Sequence, residues 1–106
     1  MSAKKAGHVI RADEFRVLSE FLSGYLHQDF RSEYETPKAA VKAYRREATH
    51  DEVERLRIQF ERFVAETRAM PFTAVQQLLV DEFHSGWLPQ SREDLTKLVT
   101  EVSKPT

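Results

Sequence analysis

The sequence predicts an all-α protein, folded as a compact single-domain bundle of about five helices. Apolar residues recur at helical spacing along most of the chain, and several of these stretches begin with a helix-capping signal. The chain has 106 residues, the size of one domain. Only three glycines and four prolines are present, too few for the many tight turns of an all-β protein.

The first predicted helix runs from about Asp13 to Leu26. A flexible tail is expected at residues 1–10, so the folded domain should span residues 11–104. Gly24 near the end of this helix predicts either a close contact or an early helix end. The apolar stripe of the helix consists of Phe15, Leu18, Phe21, Leu22, Tyr25 and Leu26.

A polar segment follows at residues 27–35. Its two aromatic residues, Phe30 and Tyr34, predict a loop that packs onto the core. The alternative to an all-α fold is a mixed α+β fold with a strand in residues 6–12 or 27–35.

Two strong helix starts come next. Thr36-Pro37 opens the second helix, because threonine caps well and proline is favoured at the first helical position. Thr49 with Glu52 forms a capping box that begins the longest helix, predicted to reach about Arg68.

Two further helices are predicted beyond Pro71. Thr73 with Gln76 is a second candidate capping box, and Gly86 is expected to end that helix as a left-handed cap. Trp87-Leu88-Pro89 predicts a packed turn, and the segment 91–94 (Ser-Arg-Glu-Asp) caps the last helix.

Composition narrows the function. Lys and Arg total 16 and Asp and Glu total 17, for a net charge of −1, which gives no general case for nucleic acid or an anionic membrane. The absence of cysteine excludes disulfides and thiolate metal sites. The sequence shows no secretory signal and no membrane-spanning run, so the expected location is the cytoplasm.

The residues leave two alternative functions open, namely metal-dependent or acid–base catalysis and nucleic-acid binding. The cluster of His27, Asp29, Asp81 and His84, with Glu33 as a further candidate, could hold a divalent ion, or a His–Asp pair in it could act as acid and base. Because His and Asp at helix ends are more often caps, and no metal motif is present, we predict no catalytic residue, no metal and no cofactor. The second alternative is a small nucleic-acid-binding regulator that uses the basic helix 38–46, with cations at Lys38, Lys42, Arg45 and Arg46.

Acidic residues gather in two stretches at predicted helix ends. One contains Asp29, Glu33 and Glu35, and the other contains Asp81 and Glu82. Carboxylates beside aromatic side chains suit a surface that binds a basic protein. A solvated acidic surface over an aromatic core explains the same residues equally well. The aromatic residues in question are Tyr25, Phe30, Tyr34, Phe83 and Trp87.

The segment 21–30, FLSGYLHQDF, followed by YETPKAAV at 34–41, resembles the small helical immunity proteins of contact-dependent growth inhibition systems. Leu26 and Phe30 replace the usual Phe and Trp, and the later LLVDEFHSGWLP at 78–89 is similar to a second block of that family in looser form. The similarity runs from about Phe15 to Val102. The motif positions are Gly24, Tyr25, His27, Gln28, Asp29, Thr36 and Pro37.

The resemblance implies a cytoplasmic protein that binds, one to one, the C-terminal toxin domain of a CdiA-type effector. Many such toxins are nucleases, often tRNases, with basic active sites that suit an acidic partner. It implies no enzyme activity, no direct nucleic-acid contact and no membrane contact. The predicted toxin-binding residues are Asp29, Glu33, Tyr34, Glu35, Asp81, Glu82, His84 and Trp87.

The motif itself admits two interpretations. It could be the toxin-binding surface, or it could be structural, with His27 and Asp29 fixing the loop by hydrogen bonds. We favour the structural interpretation, because toxin-binding surfaces diversify between allelic pairs.

Overall fold

The computed structural model describes residues 10–104, and every regular element in this range is a helix. The predicted all-α bundle is therefore confirmed, and residues 27–35 contain no strand. The elements are a short 3-10 helix at Ala12–Phe15, then α1 (Arg16–Gly24), α2 (Phe30–Glu33), α3 (Pro37–Glu47), α4 (His50–Glu66), α5 (Phe72–Asp81) and α6 (Arg92–Ser103). None of these helices is both long enough and apolar enough to cross a bilayer.

One hydrophobic core joins the elements. Helix α4 is central, since it packs against α1, α3 and α6. The rings of Phe15, Phe63 and Phe83 meet edge to face, with centroids 5.3–6.1 Å apart. Ile10 is also buried in this core, although the tail was predicted to include it. The rest of the predicted tail lies outside the described residues.

Three of the four predicted N-terminal helix caps are present. Thr36 Oγ1 accepts a hydrogen bond from the Ala39 N–H at 3.1 Å, and Pro37 is the first residue of α3. Both bonds of the Thr49–Glu52 capping box form, at 3.1 and 2.8 Å. The Asp94 N–H donates to Ser91 Oγ at 3.3 Å. Short-range signals thus place the starts of α3, α4 and α6.

The first predicted helix is shorter than expected. The predicted helical segment begins as a 3-10 turn, and α1 starts only at Arg16. It ends at Gly24 rather than at Leu26. The Leu26 N–H donates to the Phe21 carbonyl five residues back at 3.3 Å, so the chain loosens there. The predicted 27–35 loop contains the single turn α2, and α4 ends at Glu66, two residues early.

The predicted boundaries of α5 are wrong at both ends. Thr73 does not cap it, since α5 begins at Phe72 directly after Pro71, and the Gln76 amide donates to the Pro89 carbonyl at 2.7 Å. The helix ends at Asp81, and His84 adopts the left-handed conformation (φ 56°) that was predicted for Gly86. Long-range contacts determine both differences.

Candidate interaction surface

Hydrogen bonds of the His27 ring organise the turn after α1. Nδ1 accepts from the Asp29 N–H at 3.0 Å, and Nε2 lies 2.5 Å from Glu33 Oε1. In the neutral ring the proton therefore resides on Nε2, which donates to Glu33. The Phe30 N–H also donates to the His27 carbonyl at 3.0 Å. Asp29 contributes only its main-chain N–H to this network, and the residue is exposed to solvent.

The segment 82–87 lies directly against this turn. The Gly86 N–H donates to the Leu26 carbonyl at 2.6 Å. A Cβ on Gly86 would stand 2.3 Å from both the Gln28 nitrogen and the His27 carbonyl carbon. Only glycine permits so close an approach, so this junction holds the 82–87 segment against the turn that follows α1.

The predicted binding residues differ in how much they offer to a partner. Trp87 is 8% exposed and belongs to the core, so it cannot project as an anchor. Glu82 is half-buried: its carboxylate accepts from the Ala12 N–H at 2.8 Å and pairs with Arg11 at 3.4 Å. Tyr34 is half-buried. The exposed members of the predicted set are Asp29, Glu33, Glu35, Asp81 and His84.

Three near-parallel rings form what we call the tyrosine stack: Phe21, Tyr25 and Tyr34. Tyr25 lies in the middle, with centroid distances of 5.7 Å to Phe21 and 5.8 Å to Tyr34. Tyr44 of α3 meets Phe21 and Tyr25 edge-on at 5.4 and 5.2 Å. These contacts attach the 25–34 segment to α1 and α3.

Glu47 belongs to this surface, and the sequence analysis missed it. The Tyr25 hydroxyl donates to the Glu47 carboxylate, which raises the pKa of Tyr25 well above its usual range. Partial burial raises the pKa of Tyr34 as well, with the charges of Glu33 and Glu47 adding to the effect. Because Tyr25 and Glu47 are 22 residues apart, no short-range pattern could have revealed the pair.

A groove of about 600 Å³ lies beside this surface, between the start of α3 and α6. Trp87 and Leu98 contribute to its lining. The buried carboxylate of Glu101 lies in the same groove, 3.0 Å from Lys104 and 3.9 Å from Lys38. Its lining thus carries charges of both signs.

The geometry supports neither the metal or acid–base cluster nor nucleic-acid binding by the basic helix 38–46. In the described part of the chain, no three His, Asp or Glu side chains are grouped so that they could hold a metal ion. In the basic helix, the Arg45 guanidinium donates to the Glu101 carbonyl at 3.2 Å and to the Lys104 carbonyl, so it caps α6. Lys38 pairs with Glu101. Both of these cations of helix 38–46 therefore bind their own chain.

Comparisons with known proteins agree with the fold. In a crystal structure of a CdiA-CT/CdiI complex from Y. kristensenii 33638, one chain matches with a TM-score of 0.72 and 19% identity. The match covers 85% of this chain and 99% of that one, and at this identity it shows a shared fold. No curated protein matches significantly. The family model of the CdiI immunity proteins matches residues 14–102, and the chain therefore belongs to the CdiI immunity protein family.

Proposed function

We propose that this chain neutralises the C-terminal toxin domain of a CdiA-type effector in the cytoplasm by binding it one to one, with no reaction of its own. Family membership over residues 14–102 supports this, and so does the similar fold of a chain from a CdiA-CT/CdiI complex. The observation that carries the proposal is the junction of the 27–35 and 82–87 segments. It presents exposed carboxylates beside a half-buried tyrosine on a rigid helical frame.

The chemistry of this surface favours a basic partner. Exposed carboxylates at Glu33, Glu35 and Asp81 steer a cationic domain and orient it, while the tyrosine stack supplies apolar contact area. A nuclease holds phosphate in a basic active site, and we propose that the toxin is such an enzyme, with tRNA as its substrate class. Acidic immunity residues would then occupy or flank the position of the phosphates.

Binding is tested with the purified C-terminal domain of the cognate CdiA-type effector. Calorimetry should give nanomolar affinity and a one-to-one ratio, and the wild-type chain should protect tRNA from the purified toxin. If calorimetry detects no binding, the proposal is wrong. If the toxin binds but cleaves neither RNA nor DNA, only the nuclease assignment is wrong.

Charge reversal tests the surface. The double variant Glu33→Lys and Asp81→Lys should lower the association rate about tenfold at low salt, because steering by exposed charges raises association rates. The matched control is Glu61→Lys with Glu54→Lys, which changes the net charge equally on the outer face of α4. Equal effects of the two double variants would show that net charge, and not this surface, sets the rate.

A further inference from the structure

The tyrosine stack differs from the other aromatic surfaces of the molecule. Arg62 lies over Phe15 at 4.2 Å, Arg31 over Phe30 at 5.2 Å and Arg92 over Phe72 at 5.7 Å. Each of these arginine contacts within residues 10–104 uses a phenylalanine. The tyrosine rings, which have Glu20, Glu33, Glu47 and Glu52 nearby, take no such arginine from the described part of the chain.

Tyr34 forms one end of the stack, since Tyr25 is the one ring stacked on it within residues 10–104. Tyr25 covers one of its faces, and the residue remains half-buried. Two elements bring carboxylates to this end of the stack: Glu33 precedes Tyr34 in the chain, and Glu47 at the end of α3 accepts from the hydroxyl of Tyr25, whose ring stacks on Tyr34. Both charges are close enough to raise the pKa of the Tyr34 hydroxyl.

Both carboxylates are already held in place. The His27 ring binds Glu33 at 2.5 Å, and the Tyr25 hydroxyl binds Glu47. Each carboxylate keeps lone pairs for a further donor, since an ionised carboxyl group accepts about four hydrogen bonds. A cation that pairs with them therefore meets groups that have already lost much of their rotational freedom.

We propose that the Tyr34 end of the tyrosine stack is an arginine-binding subsite: a guanidinium of the toxin domain stacks on Tyr34 and pairs with Glu33 or Glu47. This rests on the proposed function and names the group that the surface recognises. A guanidinium is planar, so it stacks on aromatic rings and donates in a fork that matches a carboxylate. An ammonium is a compact point charge that has neither the flat face nor the fork. The subsite therefore prefers arginine to lysine.

A peptide titration tests the subsite without the toxin. Acetylated tetra-arginine amide is added to the isotope-labelled protein, and the ring signals of Tyr25 and Tyr34 are followed by NMR. These signals should shift with tetra-arginine, shift less with tetralysine and remain still with tetracitrulline, the uncharged analogue. Shifts of equal size for tetralysine, or shifts that omit both tyrosines, would overturn the proposal.

Variants test the same subsite in the complex. Tyr34→Leu removes the ring and should raise the toxin dissociation rate about 5- to 30-fold, since one desolvated cation–π contact contributes about that factor. Tyr34→Phe keeps the π face and should stay within about twofold. The double variant Glu33→Gln with Glu47→Gln should weaken binding about fivefold, against no change for the control Glu54→Gln with Glu61→Gln on α4.

The two proposals fail separately. If the wild-type chain binds the toxin and Tyr34→Leu binds equally well while circular dichroism shows it folded, the arginine subsite is wrong and the proposed function stands. If the wild-type chain binds no toxin, the proposed function is wrong, and the peptide titration alone decides whether the subsite exists.

Discussion

At the scale of single residues, two glycines show how differently the same residue type is used. Gly24 ends α1 with no other atom within 4 Å of the position of a Cβ. Gly86 has backbone atoms of His27 and Gln28 at 2.3 Å from that position. Backbone cannot move aside as a flexible side chain can, so only Gly86 is required by packing.

We expect Gly86→Ala to destabilise the protein by about 1–3 kcal/mol, because the added methyl group forces the 27–28 backbone away. The control Gly24→Ala should be neutral or stabilising by up to about 1 kcal/mol, since alanine costs less chain entropy in a helix. Urea unfolding followed by Trp87 fluorescence measures both. Equal free energies of unfolding for the two variants would contradict the close contact between Gly86 and the 27–28 backbone.

The three tyrosines of the chain share a second residue-scale property. Burial, with the nearby charges of Glu52 and Glu20, raises the pKa of Tyr44 to about 12. The pKa values of Tyr25 and Tyr34 are raised as well, for Tyr25 chiefly by its hydrogen bond to Glu47. The folded state thus keeps these protons at a pH where the unfolded chain releases them.

The sign of the pH dependence follows from linkage. Below pH 10 both states hold the tyrosine protons, so their contribution to stability is fully present; above pH 10 the unfolded chain loses them and stability falls until the folded pKa values are passed. Tyrosinate absorbance at 295 nm should therefore rise only well above pH 10 in native protein, and near pH 10 in urea. Glu47→Gln should lower the native midpoint of Tyr25 and, to a smaller extent, that of Tyr34. A native midpoint near 10 for all three would contradict these contacts.

At the scale of elements, caps separate what short-range sequence determines from what tertiary contacts determine. Thr49 accepts from the Glu52 N–H at 3.1 Å and begins the 17-residue α4. Thr73, with the same spacing to Gln76, lies inside α5 and caps nothing. The same pattern therefore has different consequences in the two helices.

We expect Thr49→Ala to cost about 1 kcal/mol of stability, because it leaves a helix N–H without its partner. Thr73→Ala should change stability by less than about 0.5 kcal/mol, since it removes no cap. Thermal unfolding by circular dichroism compares the two variants. A larger loss for Thr73→Ala would mean that α5 starts as the sequence pattern suggested.

The helices were predictable where hydrophobic spacing and a cap agree within a few residues, as they do for α3, α4 and α6. The ends of α5 were not, because the Gln76 amide is used by Pro89 and Gly86 by a turn far away in sequence. The acidic and aromatic character of the surface was also readable. The residues that form it were not readable. Only the folded structure shows that Glu47 is part of the surface and that Trp87 is buried in the core.

At the scale of the whole molecule, one core connects the helices to the segments that bear the candidate surface. Phe30 and Phe83, which flank the His27–Gly86 junction in the chain, are both buried in it together with Phe63 of α4. Trp87 lies in the same core, outside every helix. Its fluorescence therefore reports on the 82–90 connection, while far-UV circular dichroism reports on the helices.

We expect the two signals to give coincident urea transitions, because a shared core makes a small domain unfold as one unit. The melting temperature should not change with EDTA, since no group of residues in the range 10–104 is arranged to hold a metal ion. A fluorescence transition that precedes loss of helix would show that the 82–90 connection opens by itself.

The bond between the Gly86 N–H and the Leu26 carbonyl has a consequence during protein synthesis. Residues 27–35 leave the ribosome early, but the backbone that secures them follows only after α5 has been translated. On the proposed function, a half-made chain gives a cell no protection. Resistance to an incoming effector then depends on chains that have been translated beyond Gly86.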